Sequence, residues 1–121
     1  MSNVCTTKDD LIIVRLRNDL DHHVTEQIRD EIDNTIMQTK IFRLAFDFRN
    51  VNFMDSSGIG LLMGRYKKIK PVGGEIFVSN LNLQMRRIFN IFGLRKITSE
   101  NRQIDRIVNE EDTYEQSKIN F

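Results

Sequence analysis

An α/β fold, with a mixed and mostly parallel sheet of about five strands and helices mainly on one face, is predicted by three features of this 121-residue chain. Short β-branched or alternating apolar runs recur between segments whose apolar residues repeat at helical spacing, the pattern of parallel strands joined by right-handed helical crossovers. Within the run 42–48, apolar residues stand at 42, 44, 46 and 48 with Arg43 and Asp47 between them, so one sheet face is the more polar. Gly and Pro punctuate the chain where the segments end, at Pro71, Gly73, Gly74 and Gly93.

In order, residues 4–6 and the β-branched run 11–16 read as two strands joined by the polar turn Lys8, Asp9 and Asp10, and the second suits a central position. Asn18 to Asp21 break the pattern, and Asp21 is placed to cap a helix. Val24, Ile28, Ile32 and Ile36 then step by four, with acids and amides opposite them. The alternating run 42–48 is a third strand. Residues 57–70, with Leu62, Tyr66 and Ile69 in a helical stripe, form a second helix that Pro71 stops, and Gly73 and Gly74 turn the chain back. Residues 75–78 are a fourth strand. Asn80 or Asn82 caps a third helix whose Met85, Ile88, Phe89 and Phe92 share a face, and Gly93 ends it. Residues 96–98 read as a short fifth strand, and Ile104, Ile107 and Val108 as a short fourth helix. The domain core therefore spans about 4–109, followed by a frayed tail over 110–121 in which Ile119 and Phe121 are the residues able to dock.

A chain of this length folds as one domain and buries its core without disulfides or metal. Its 18 basic and 17 acidic residues leave a net charge of +1, so no global field recruits nucleic acid or membrane. The one cysteine, Cys5, has no disulfide partner in the chain and no CxxC neighbour. The start of the sequence lacks a signal-peptide pattern and no run approaches the roughly 18 apolar residues of a membrane span, so a soluble, cytoplasmic protein is expected.

The chemistry concentrates where the third strand meets the second helix. Asp55, Ser56 and Ser57 offer three cap residues where one suffices. One reading is redundant capping, followed by small residues that let the helix lie close to the sheet. The other is a serine presented to a second protein at the positive end of a helix. Gly58, Gly60 and Gly64 imitate a dinucleotide fingerprint but sit inside the helix rather than in the turn before it, so no cofactor is expected. A nucleophile elbow is absent, because Gly-x-Ser-x-Gly is not present, and no third group or oxyanion hole accompanies His22 and His23. Those histidines lack the i, i+4 spacing of a helical metal pair. Lys67, Lys68, Lys70, Arg86, Arg87, Arg95 and Lys96 have no aromatic interleaving and read as solvated surface.

The segment Phe53-Met54-Asp55-Ser56-Ser57-Gly58-Ile59-Gly60, with Leu20-Asp21-His22-His23 before it and Gly73-Gly74-Glu75 and Phe92-Gly93-Leu94 after it, resembles the anti-sigma factor antagonists, which are single STAS-domain proteins. The likeness runs from about residue 4 to 108, and the Leu-Asp-His-His match favours the sporulation branch over the stress-response branch. It implies a non-enzymatic, monomeric partner-switching module. By that resemblance Ser56 is phosphorylated by an anti-sigma factor that is itself a serine kinase using Mg-ATP. The unmodified form binds that partner and frees the sigma factor, and a PP2C-type phosphatase reverses the modification. Asp21, Asp55, Ser57, Gly58, Ile59 and Leu62 are the expected partner-binding residues around it. The chain departs from the family pattern at Asn18, where glycine is usual, and at Asp19, where glutamate is usual. The alternatives are a related module of a stress-response network, or a small nucleotide-binding or hydrolytic domain.

Overall fold

The computed structural model describes residues 4–119, with side chains described as far as Glu110. The elements are β1 (Cys5–Lys8), β2 (Leu11–Arg15), α1 (His22–Thr39), β3 (Arg43–Asp47), α2 (Ser56–Ile69), β4 (Glu75–Ser79), α3 (Leu83–Ile91) and α4 (Arg102–Ile119), with 3-10 turns at Lys70–Val72 and Leu94–Lys96. Strand order in the sheet is β1-β2-β3-β4. The β1–β2 pair is antiparallel, and β2, β3 and β4 run parallel, as the alternation of elements predicts. All of β2 is buried, in keeping with its central place.

Among the described residues the sheet has four strands, not about five. The expected fifth is reduced to a single bridge between Ser99 and Phe77. Gly93, at φ 66°, opens the turn Leu94–Lys96, and Ile97 at ψ −3° is still curled. Asn101 already caps α4, its Oδ1 accepting from the N–H groups of Gln103 and Ile104. Too little chain lies between these curled segments for a strand. Only Ser99 pairs, giving its N–H to the Ile76 carbonyl and accepting from Val78, each at 2.9 Å.

Helices α1, α2 and α3 cover the face carrying Ile12, Val14, Leu44, Phe46, Ile76 and Val78, where the larger core lies. Phe48 and Phe89 meet there edge to face, with centroids 5.4 Å apart. The opposite face has a smaller core of Leu11, Ile13, Ala45, Phe77, Ile104 and Val108 under α4. Of the polar residues predicted for this face, Asp47 takes part in tying α4 down, together with Arg15 and Ser79, while Arg43 pairs with Asp10 and Glu75 instead. Arg15 pairs with Asp47 at 3.1 Å and gives a second bond to the Val108 carbonyl at 2.9 Å, while Ser79 donates to Asp105. A buried ion pair offsets its desolvation only when its remaining lone pairs are satisfied. Asp47 meets that condition, its other oxygen accepting from the Arg49 N–H and the Asn80 amide.

Helix α2 starts at Ser56 and gives way to the 3-10 turn containing Pro71, after which Gly73 at φ 80° reverses the chain. The third helix is capped by Asn82, since Asn80 is occupied in a left-handed turn at φ 62°. Asn18 is not among the positive-φ residues, so no glycine-like backbone is needed there. The α4 backbone continues to Ile119, well past the short helix expected around Val108. The docking expected of Ile119 and Phe121 falls outside the described residues and side chains. Among the described residues no helix is long and apolar enough to cross a membrane.

Candidate functional site

Because β2, β3 and β4 run parallel, the chain leaves all three at one sheet edge and begins a helix each time. Each start is capped by a side chain: Asp21 accepts from the Val24 N–H at 2.9 Å, Asp55 from Ser57 at 2.8 Å, and Asn82 from Met85 at 2.8 Å. The carboxyl edge of parallel strands is where α/β folds meet ligands, because loop and helix-start residues converge there.

Backbone and side-chain bonds lace these loops together. Leu20 and Met54 form a parallel bridge, with Leu20 donating to the Phe53 carbonyl and Asp55 donating to the Leu20 carbonyl, each at 3.1 Å. One oxygen of Asp19 accepts from the N–H groups of Asn52 at 2.7 Å and Phe53 at 3.2 Å. Asn82 donates to Asn52 at 2.9 Å and to the Val51 carbonyl at 3.3 Å. The loop before α2 is therefore held from both sides.

Ser56 is the first residue of α2 and is exposed, and among the described residues no hydrogen bond engages its hydroxyl. Asp55 beside it is half-buried and committed to its cap. Ser57 is half-buried, its Oγ 3.4 Å from Nδ1 of His22. Along α2 the positions that share the open side with Ser56 are Ile59, which is half-buried, Gly60, and Met63, which is 42% exposed. Phe53, 52% exposed, adds a second apolar side chain next to the helix start. An unengaged hydroxyl thus stands in a partly apolar, solvent-facing patch.

Of the sequence-predicted site residues, Asp21, Asp55, Ser57 and Ile59 reach the surface around Ser56. Two do not. Leu62 is fully buried, because its helical phase turns it onto the sheet, so it is core rather than contact surface, and Met63 takes the outward position. Gly58 is buried against the Leu20–Met54 seam, where an added Cβ would stand 2.8 Å from the Met54 Cβ. Its small size serves the packing of two loops rather than the approach of a partner. Asp19, Phe53, Met63 and Asn82 were not among the predicted site residues. Met63 has a signal in its i+7 spacing from Ser56, Phe53 stands in the segment that carries the family likeness, Asn82 is a candidate cap, and Asp19 is a departure from the family pattern.

The arrangement supplies little for catalysis. The His22 contact with Ser57 is long for a base and its nucleophile, and no further group orients the ring among the described residues. Nor does any group of three His, Cys, Asp or Glu residues among them stand close enough to hold a metal ion.

A family model described as STAS domain matches residues 4–112. The chain is 39% identical over 87 residues to the anti-sigma F factor antagonist of Paenibacillus polymyxa, spanning 72% of this chain and 74% of that relative. The chain belongs to the STAS-domain anti-sigma factor antagonists. Among solved structures the antagonist is similar to SpoIIAA in its unphosphorylated form, with a TM-score of 0.73 at 32% identity over 85% of this chain and 93% of that one. It is also similar to the phosphorylated form of Bacillus SpoIIAA, with a TM-score of 0.65 at 33% identity over 84% and 95% of the two chains. In this antagonist the family's Asp-Ser-Ser-Gly core thus occupies the first turn of α2, at the laced edge of the sheet.

Proposed function

We propose that this antagonist is a partner-switching regulator of transcription whose switch is phosphorylation of Ser56. Unphosphorylated, it binds an anti-sigma factor with serine kinase activity and releases the sigma factor held there. That partner transfers a phosphoryl group from its own Mg-ATP to Ser56, the complex dissociates, and a PP2C-type phosphatase restores the hydroxyl. The chain itself is not an enzyme and acts in the cytoplasm. The likeness to an anti-sigma F factor antagonist supports the sporulation branch rather than a stress-response network.

The observation that carries this reading is the exposed, unengaged hydroxyl of Ser56 at a helix start held rigid by neighbouring loops. A phosphate there gains at most about 0.3–1 kcal/mol from the helix dipole. The gain is smaller where Asp55 already occupies the Ser57 N–H. The fold is therefore barely affected. In a docked interface, by contrast, about −1.5 to −2 charges must be desolvated beside the Asp55 carboxylate, at a cost of several kcal/mol. The interface loses while the domain survives. Calorimetric titration of the anti-sigma factor tests this: Ser56→Ala binds like wild type, whereas Ser56→Asp unfolds at the wild-type temperature and binds at least about tenfold more weakly. Equal affinity of wild type and Ser56→Asp rejects the switch.

A further inference from the structure

Ser56 and Ser57 are the first two residues of α2, so a kinase docked at this helix start meets two neighbouring serine hydroxyls. Their surroundings differ. Ser56 is exposed and its hydroxyl unengaged, whereas Ser57 is half-buried with its Oγ 3.4 Å from Nδ1 of His22, the first residue of α1. Whichever ring nitrogen carries the hydrogen, that contact occupies the hydroxyl: Oγ gives its hydrogen to Nδ1 or accepts one from it. At this separation the two atoms are in van der Waals contact, so no phosphorus atom fits between them.

The next turn of α2 does not close the same side. Gly60, one turn on from Ser57, carries no side chain, and a Cβ built there would meet nothing within 4 Å. Beyond the contact of His22 with Ser57 a groove of about 430 Å³ opens between α1 and α2, with room for a phosphoryl group. The backbone behind the ring is fixed. Leu20 and Met54, just ahead of the two helices, form their parallel bridge, Asp21 caps α1 through the Val24 N–H, and the Thr25 hydroxyl donates to the His22 carbonyl at 3.1 Å. The His22 side chain itself is exposed, so its removal uncovers Ser57 without opening the core.

We propose that His22 is a specificity-determining residue of the switch, its ring covering the Ser57 hydroxyl and so confining the phosphoryl group to Ser56. This rests on the phosphorylation of Ser56 proposed above and adds what selects between two adjacent serines. Transfer needs an oxygen that can stand about 3–3.5 Å from the γ-phosphorus, in line with the bond to ADP that breaks as the new P–O bond forms, its proton passing to a base on the kinase. The free hydroxyl of Ser56 meets that need. That of Ser57 does not while the imidazole fills its open side. At 3.4 Å the ring is also beyond the reach of a general base, so it covers the hydroxyl rather than activating it.

The test incubates the full chain with the anti-sigma factor and Mg-ATP and locates the phosphate by fragment mass spectrometry, with thermal unfolding run alongside to check each fold. Wild type and His23→Ala carry phosphate on Ser56 alone. His22→Ala carries it on Ser57 as well, and the double variant Ser56→Ala with His22→Ala labels Ser57 at least about tenfold above the background of Ser56→Ala. A merely structural His22 would change the melting temperature and leave the site of phosphate where it is. Absence of phosphate from Ser57 in both His22 variants, at whatever rate Ser56 is labelled, overturns the proposal. Labelling of Ser57 in His23→Ala does so too, because it assigns the selection to the helix start rather than to the His22 ring. A wild-type chain that takes phosphate on neither serine rejects the switch and the proposal together, and is told apart because no variant is needed to see it.

Discussion

Three glycines in α2 look equivalent by composition, and the structure separates them. Replacing a glycine by alanine inside a helix gains roughly 0.5–1 kcal/mol, because the unfolded chain loses freedom it would otherwise have to give up. At Gly64 an added Cβ meets nothing within 4 Å, so that gain is realised in full. At Gly58 the same atom stands 2.8 Å from the Met54 Cβ, 3.0 Å from its sulfur and 3.2 Å from the Leu20 Cβ. The sulfur can swing away. The two Cβ atoms belong to residues joined by the Leu20–Met54 bridge and cannot retreat without stretching its hydrogen bonds. Overpacking of this kind costs about 1–3 kcal/mol, which at least cancels the helical gain and leaves a net loss of up to about 2.5 kcal/mol. In a domain of this size, at about 4 °C per kcal/mol, that lowers the melting temperature by up to about 10 °C for Gly58→Ala, while Gly64→Ala raises it by about 2–4 °C. Thermal unfolding followed by circular dichroism reads both. Gly58→Ala as stable as Gly64→Ala would refute the tight seam between the two loops.

Other perturbations separate capping from docking. Asp21→Ala removes the acceptor of the Val24 N–H and lowers stability by about 1 kcal/mol, while Asp21→Asn keeps the cap and the melting temperature. A weaker complex with Asp21→Asn therefore reports the carboxylate's charge at the interface, and unchanged binding assigns Asp21 to capping alone. Asp19→Ala frees the N–H groups of Asn52 and Phe53, at about 1 kcal/mol, and slows phosphoryl transfer by loosening the loop ahead of Ser56, whereas Asp19→Asn retains most of both properties. A kinase rate unmoved by Asp19→Ala contradicts the clamp. The Cys5 thiol is pushed up to about 12 by burial and then by Glu31, so at pH 8 it resists a thiol reagent until the chain is unfolded. Rapid labelling of the native protein contradicts that.

The strand and helix sequence was legible because periodicity is a local property, and the cap at Asp55 needed only the residues around it. What escaped was set by distant partners or by helical phase. Leu62 and Met63 are both apolar neighbours, and a 100° step separates core from surface, so composition alone could not choose between them. The contacts of Asp19 with Asn52, and of Gly58 with Leu20, join segments more than thirty residues apart, which no local pattern reveals. Arg65 reads as one more surface charge in a basic stretch until α1 is laid across it. The fifth strand was lost to a left-handed glycine at one end and an early Asn101 cap at the other.

The central claim is that one hydroxyl is available to a docking kinase and its neighbour is not. Incubation with the anti-sigma factor and Mg-ATP, followed by mass spectrometry of the peptide spanning residues 54–65, tests it most directly. One phosphate on Ser56 and none on Ser57, with no uptake by Ser56→Ala, is the result expected. Phosphate on Ser57, or undiminished uptake by Ser56→Ala, would contradict it.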